Sequence, residues 1–312
     1  MQSKFVIGAI GTFISLAATA QTATPLPANV VADQAALKSD ISVVQTDNSK
    51  VQLDELQLQA DKDAKNAAAV TADKAALAAD KTSLSTALSS ERNAQHQLAT
   101  DASSILNTDK TAVHTAASQL AADIKADKTS VLAADLTALQ NAGKQLAVDQ
   151  KSIFSVTTPP SGTPTTLSAT VQAAQAAATS DATTAQAAQN KLELDVLTLQ
   201  ADRSAGNTTA VTADKAALST DSAAFKTDVV KLHAAVSVLK TDAQPILSAD
   251  KSALQAANAQ LNAAVKAGNT AALSADRLAV INAQLQLHTD QHAIFGPVLP
   301  GSIESFRQLR HH

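Results

Sequence analysis

Apolar residues recur at intervals of seven along much of the chain, and an aspartate follows many of them by three. In the first stretch the pairs are Val30/Asp33, Leu37/Asp40, Val44/Asp47, Val51/Asp54 and Leu58/Asp61. Of the 24 aspartates, 22 stand three residues after a bulky apolar residue. A seven-residue apolar period belongs to helices packed in a left-handed supercoil. Residues three apart share one side of a helix, so the pattern predicts long helices with an aliphatic seam and an acidic edge beside it. No run alternates β-branched and polar residues, so no strand is predicted. The expected fold class is all-α and coiled-coil-like.

The pattern also repeats on a larger scale. Leu53–Leu77 matches Leu194–Leu218 at 18 of 25 positions, at an offset of 141. The offset also relates Asp40/Asp181, Asp101/Asp242, Asp109/Asp250, Asp135/Asp276, Asp149/Asp290 and Phe154/Phe295. A tandem duplication is expected, with copy one at 29–156 and copy two at 169–297. Thr157–Ser168, rich in Pro, Gly, Ser and Thr, serves as the linker. Within copy two, Gly206–Leu218 matches Gly268–Val280, and both matches begin at a helix break. Gly206 and Gly268 suit the left-handed position after a helix, and Asn207 and Asn269 the N-cap that follows. Asn66 and Asp127 stand at the equivalent places in copy one. A further break is expected near Asp101 and Asp242, where Pro245 fits a first helical turn. Each copy then holds about four helices, near 29–64, 67–99, 102–126 and 128–155, shifted by 141 in the second copy. Short links imply antiparallel bundles in up-down-up-down order. The first two helices would run roughly 50 Å and the last two nearer 40 Å. That mismatch leaves open an extended antiparallel coiled coil in which the breaks are kinks.

Composition narrows the packing. The 312 residues are room for one or two domains and include 69 alanines, only eight Gly and eight Pro, and Phe as the sole aromatic, six times. Ala is the best helix former, and an Ala, Leu and Val seam lets helices approach closely while burying little area each. Stability is therefore expected from many long contacts rather than a few large anchors. A net charge of −4 lacks the basic footprint of a nucleic-acid binder. The chain has no cysteine, which removes disulfides, thiolate metal sites and Cys nucleophiles.

Residues 1–20 have the form of a secretory signal peptide: Lys4, an apolar run from Phe5 to Leu16, and Ala18-Thr19-Ala20 as the cleavage site, so that the mature chain starts at Gln21. The run is shorter than the ~20 residues of a membrane span. A bacterial periplasmic or extracellular location is expected. The heptads resemble those of bacterial murein-lipoprotein helices in their small residues and recurrent Asp and Lys, without the cysteine that would carry a lipid.

Candidate chemistry is sparse. Lys or Arg follows Asp directly at Asp61/Lys62, Asp73/Lys74, Asp80/Lys81 and several further places. Adjacent helical residues do not face each other, so these charges are expected to pair with a neighbouring helix. Rows of carboxylates could instead bind calcium, but seven-residue spacing puts them about 10 Å apart along a helix. His288 and His292 stand at metal-ligand spacing on the last predicted helix, and are either a weak metal site or surface histidines. His96, His114 and His233 are isolated. No phosphate loop, nucleophile elbow or acid–base pair appears, so no catalytic residue and no cofactor is expected. Ile303, Phe306 and Leu309 give the tail 298–312 one amphipathic turn, docking on the bundle or on a partner. The leading expectation is an exported non-enzymatic scaffold or interaction module, contacting a protein partner or itself through helical seams. A lipid- or hydrophobe-binding helical protein touching membrane surfaces, and a stress or ice-surface protein, are the alternatives.

Overall fold

A computed structural model describes residues 22–156, 162–296 and 298. Among these residues every regular element is helical. Eight α-helices run in order: α1 (Ala28–Asp63), α2 (Ala67–Asp101), α3 (Ser103–Lys125), α4 (Leu132–Phe154), α5 (Ala169–Ala205), α6 (Thr208–Asp242), α7 (Gln244–Lys266) and α8 (Thr270–Phe295). A 3-10 turn, Thr129–Val131, leads into α4. The expected boundaries lie within a few residues of these. The N-terminal segment expected to be cleaved and most of the tail, including Ile303, Phe306 and Leu309, lie outside the described residues.

Helices pack as antiparallel neighbours: α1 with α2, α3 with α4, α5 with α6, and α7 with α8. Lengths match within each hairpin, 36 against 35 residues for the first and 23 against 23 for the second. The four hairpin links share one hydrogen-bond pattern. The amides of Asn66, Lys128, Asn207 and Asn269 reach back to the carbonyls of Asp61, Asp123, Asp202 and Ala264. The preceding amides, of Lys65, Asp127, Gly206 and Gly268, reach the carbonyls of Lys62, Ile124, Arg203 and Val265. This is the paired bonding of a Schellman stop, which requires a left-handed residue before the turn. That residue is Gly206 (φ 75°) or Gly268 (φ 63°) in the second half, but Lys65 (φ 56°) or Asp127 (φ 55°) in the first. Asn66 and Asn207 then cap α2 and α6, their side chains accepting from the amides of Ala69 and Ala210 at 3.3 and 3.2 Å.

The links near Asp101 and Asp242 do not reverse the chain, which corrects the expected up-down-up-down order. Ala102 keeps right-handed helical torsions (φ −79°, ψ −7°), and Ala243 does the same (φ −81°, ψ −10°). The Ala102 amide closes the last turn of α2 on the Leu98 carbonyl, and the Ala102 carbonyl accepts the Leu106 amide that opens α3, so a single residue ends one helix and starts the next. Helices α2 and α3 thus follow one another through a one-residue bend, and α6 and α7 do the same, the latter with Pro245 in the first turn after the bend. A Pro in the first turn gives up an amide that had no helical partner there. The two hairpins of each half of the chain therefore join end to end instead of stacking into a four-helix bundle. The unequal hairpin lengths are no obstacle, because each helix faces a partner of its own length.

The core is four aliphatic clusters. Two sit at the bends, where the start of one helix meets the end of another. Val30 and Leu37 from α1 pack with Leu98, Ala102, Leu106 and Ile153. Val171 and Ala178 from α5 pack with Leu239, Ala243, Leu247, Ile294 and Val298. Gln34 ties the first junction, donating to the carbonyls of Ser152 and Ile153 at 2.7 and 2.8 Å. Gln175 ties the second, donating to Ala293 and Ile294 at 2.8 Å each. The other two clusters join the halves of the chain. The far end of α1 (Leu53, Leu56, Ala60) packs on the α7–α8 hairpin through Leu261, Ala264, Val265 and Leu273. Reciprocally, the far end of α5 (Leu194, Leu197, Ala201) packs on the α3–α4 hairpin through Leu120, Ile124, Leu132, Leu136 and Leu139.

Candidate functional site

The acidic edge beside the seam places carboxyl groups from facing helices against one another. On a helix the residue three after a buried seam position lies at the margin of that seam. In an antiparallel hairpin the margins of both helices meet. Among the described residues five such aspartate pairs face each other in the first half of the chain: Asp33/Asp101, Asp54/Asp80, Asp61/Asp73, Asp109/Asp149 and Asp123/Asp135. Three lie in the second: Asp195/Asp221, Asp202/Asp214 and Asp250/Asp290. This corrects the expectation that the neighbouring helix would supply mainly Lys or Arg. Between helices, Lys81 does meet Glu55 at 3.0 Å and Lys191 meets Asp221 at 2.8 Å. The remaining described ion pairs, Lys50–Asp47, Lys231–Asp228 and Lys128–Asp123, are local in sequence.

In each pair one carboxyl has a buried oxygen with no hydrogen-bond donor. These are the Oδ2 atoms of Asp33, Asp54, Asp73, Asp109, Asp135, Asp195, Asp214 and Asp250. An ionised carboxylate only accepts hydrogen bonds, so two of them face to face leave both short of a donor and repel. A proton on one makes it the donor to the other. Burial first, and the partner aspartate second, raise the pKa of the same eight residues above the ordinary aspartate value of 3.8. For Asp195, burial and then Asp221 push it to about 6, against the opposing pull of Lys191. Several partners are held low instead. Lys128 and Gln119 lower Asp123, and Lys191 and Asp195 lower Asp221.

The most enclosed pairs are Asp109/Asp149 and Asp250/Asp290. Asp149 and Asp290 are 0% exposed, Asp109 7% and Asp250 9%. Asp149 accepts the Thr24 amide at 2.7 Å, the Thr24 hydroxyl at 2.6 Å and the Gln145 side chain at 3.0 Å. Asp290 accepts the Thr165 amide and hydroxyl at 2.6 Å each and Gln286 at 3.0 Å. Burial raises both carboxyls, but these donors outweigh it and hold them below the ordinary value.

His288 and His292 lie on the exposed side of α8, one turn apart. The structure brings no third ligand to them: no group of three or more His, Asp or Glu able to hold a metal occurs among the described residues. His96 and His114 also stand apart, on α2 and α3. The hollows of the surface are shallow and open, such as the one at the α6–α7 bend lined by Ser237, Lys240, Thr241, Gln244, Pro245 and Ser248. No described helix is long and apolar enough to cross a membrane. No family model, no curated protein and no solved structure matches the chain.

Proposed function

We propose that the protein is an exported, non-enzymatic helical scaffold or spacer built by tandem duplication of a two-hairpin unit. The observation that carries this reading is the end-to-end joining of long hairpins through the helical bends at Ala102 and Ala243. The residues from 67 to 125 follow one bent helical path of roughly 88 Å contour at 1.5 Å per residue. Such length is what a spacer supplies, whereas a catalyst needs a recess and convergent groups. The buried clusters form within the one chain, and a partner or a second copy would meet outer faces that are polar but also expose Val230, Val238 and Leu278. The 141-residue correspondence of helices, Schellman stops and junction glutamines supports the duplication, and the signal-like leader supports export. Light scattering with small-angle X-ray scattering on the chain from Gln21 tests the reading. The expected result is a concentration-independent monomer whose radius of gyration clearly exceeds the ~19 Å of a compact domain of this length. A value near that figure sinks the spacer, and particles that lengthen with concentration make the protein a self-assembling filament element instead.

A further inference from the structure

The two most enclosed carboxyl pairs hold more than their own helices together. Thr24, which Asp149 binds twice, belongs to the non-helical segment 22–27 that enters α1. Gln145 adds contacts to the Thr22 carbonyl and the Thr24 hydroxyl at 3.3 Å each. Thr165, which Asp290 binds twice, belongs to the non-helical segment 162–168 that enters α5. Gln286 adds contacts to the Thr163 carbonyl at 3.2 Å and the Thr165 hydroxyl at 3.3 Å. Each segment is thus pinned to the last helix of its own copy by one buried carboxylate.

Asp109 and Asp250 stand against those carboxylates with a buried oxygen that no donor reaches. Three protein donors already surround each partner, so the partner is the charged acceptor and Asp109 or Asp250 must supply the missing hydrogen. The arrangement is complete only when one proton sits on Asp109 and one on Asp250.

We propose that Asp109/Asp149 and Asp250/Asp290 are proton-operated latches, which lock the segments 22–27 and 162–168 in place while each pair holds one proton and release them when that proton leaves. The groups facing each latch come from three elements. Asp109 on α3 faces Asp149, and Asp149 on α4 faces Asp109, Gln145 and the Thr24 segment. Asp250 on α7 faces Asp290, and Asp290 on α8 faces Asp250, Gln286 and the Thr165 segment. No Lys, Arg or His is among the main influences on either pair. The sign follows from the two directions of shift. Asp109 and Asp250 are raised, so their contribution is complete below the unfolded value of 3.8 and is lost as pH rises through their folded values. Asp149 and Asp290 are lowered, so the clamp itself fails only as pH falls below the ordinary aspartate range. The latch is therefore closed near the ordinary aspartate value and opens as pH rises through the raised folded values of Asp109 and Asp250.

Hydrogen exchange of the full-length chain, expressed as protection factors that correct for intrinsic rates, tests the latch at pH 4 and pH 8. Protection of the Thr24 and Thr165 amides is expected to fall at least about tenfold over that range while the hairpin interiors stay protected. In Asp109→Asn and Asp250→Asn the amide donates at every pH, and the fall should vanish at the matching threonine. Unchanged protection in the unaltered chain overturns the proposal, and so does an equal loss throughout the helices. Should the variants fail to fold, carboxyl carbon NMR of the unaltered chain decides. Midpoints for Asp109 and Asp250 above the ordinary aspartate value are expected, and ordinary midpoints overturn it.

Discussion

The bends at Ala102 and Ala243 are built alike but flanked differently. Both bury a helix start, a helix end and the alanine of the bend in one aliphatic cluster. Beside the first, Asp33 meets Asp101. Beside the second, the position 141 further on is Ala174, buried inside the cluster, and Asp242 has no such acid opposite it. The far ends of the short hairpins differ in the same way. Asp123 faces Asp135 and takes Gln119 at 2.6 Å and Lys128 at 2.8 Å. The position 141 after Asp123 is Ala264, which packs on Ala60, and Gln260 turns to Asp276 at 2.9 Å. At the margin of a seam, then, a facing carboxyl pair and a methyl group fill the same place. The carboxyl pair makes that place sensitive to pH, because its second ionisation sets two charges together in a partly desolvated gap. The methyl does not respond. Five pairs lie in the first half against three in the second among the described residues, while the one pushed to about 6, Asp195, is in the second.

The sharpest test of equivalence between the copies is at the latches. Asp149→Ala and Asp290→Ala each strip three donors of their buried acceptor, and each should cost about 2–4 kcal/mol in urea unfolding. Costs differing by more than about 1 kcal/mol would break the correspondence. At the hairpin stops the copies differ in sequence but share a conformation. Lys65→Gly should stabilise the first copy by about 1 kcal/mol by removing the left-handed penalty, and Gly206→Ala should destabilise the second by a similar amount. Equal stabilities for both variants would mean that the strain at Lys65 is relieved elsewhere. Asp195→Asn removes the need for a shared proton opposite Asp221. Asp195 rises from 3.8 to about 6 on folding, so its contribution is complete below the first value and gone above the second. The variant should therefore melt roughly 2–4 °C higher than the unaltered chain at pH 7, after allowance for solvent screening, and match it at pH 4. The smallest effect is expected from Asp33→Ala, which gives the first bend the flank of the second. Its melting temperature should stay within about 2 °C of the unaltered chain, with a flatter profile between pH 4 and pH 7. A steeper profile would show that the carboxyl pair is not what makes this flank respond.

Much of the architecture was legible because it is local. The seven-residue period gives the helices, and Gly206, Gly268, Asn66 and Asn207 mark their ends through backbone chemistry that spans only a few residues. Lys65 was hidden because nothing in a lysine side chain announces a left-handed backbone; only the alignment with Gly206 points to it. The choice between a reversal and a kink at Ala102 stayed open for a related reason. A break in a pattern shows that the ladder is disturbed, not whether the chain turns back. The aspartates were visible as an acidic edge, but their partners were not. Whether Asp54 meets Lys or Asp80 depends on the register between two helices, which is a property of the hairpin rather than of either strand of sequence. A signal was available: heptads with Asp at one flanking position on both helices of an antiparallel pair bring acid to acid wherever the flanks coincide. Thr24 and Thr165 gave no signal at all, since they act from non-helical segments 125 residues away from the carboxylates they bind.

The sequence by itself determined that the chain is helical, where the helices begin and end, and which of their faces is apolar, because those follow from torsional preferences and periodicity along a single segment. Only the tertiary structure decided that hairpins join end to end, that α1 and α5 each pack on the other half of the chain, and that aspartate meets aspartate. Those outcomes depend on distances between residues far apart in the chain, where burial is what turns an acidic edge into a set of shared protons.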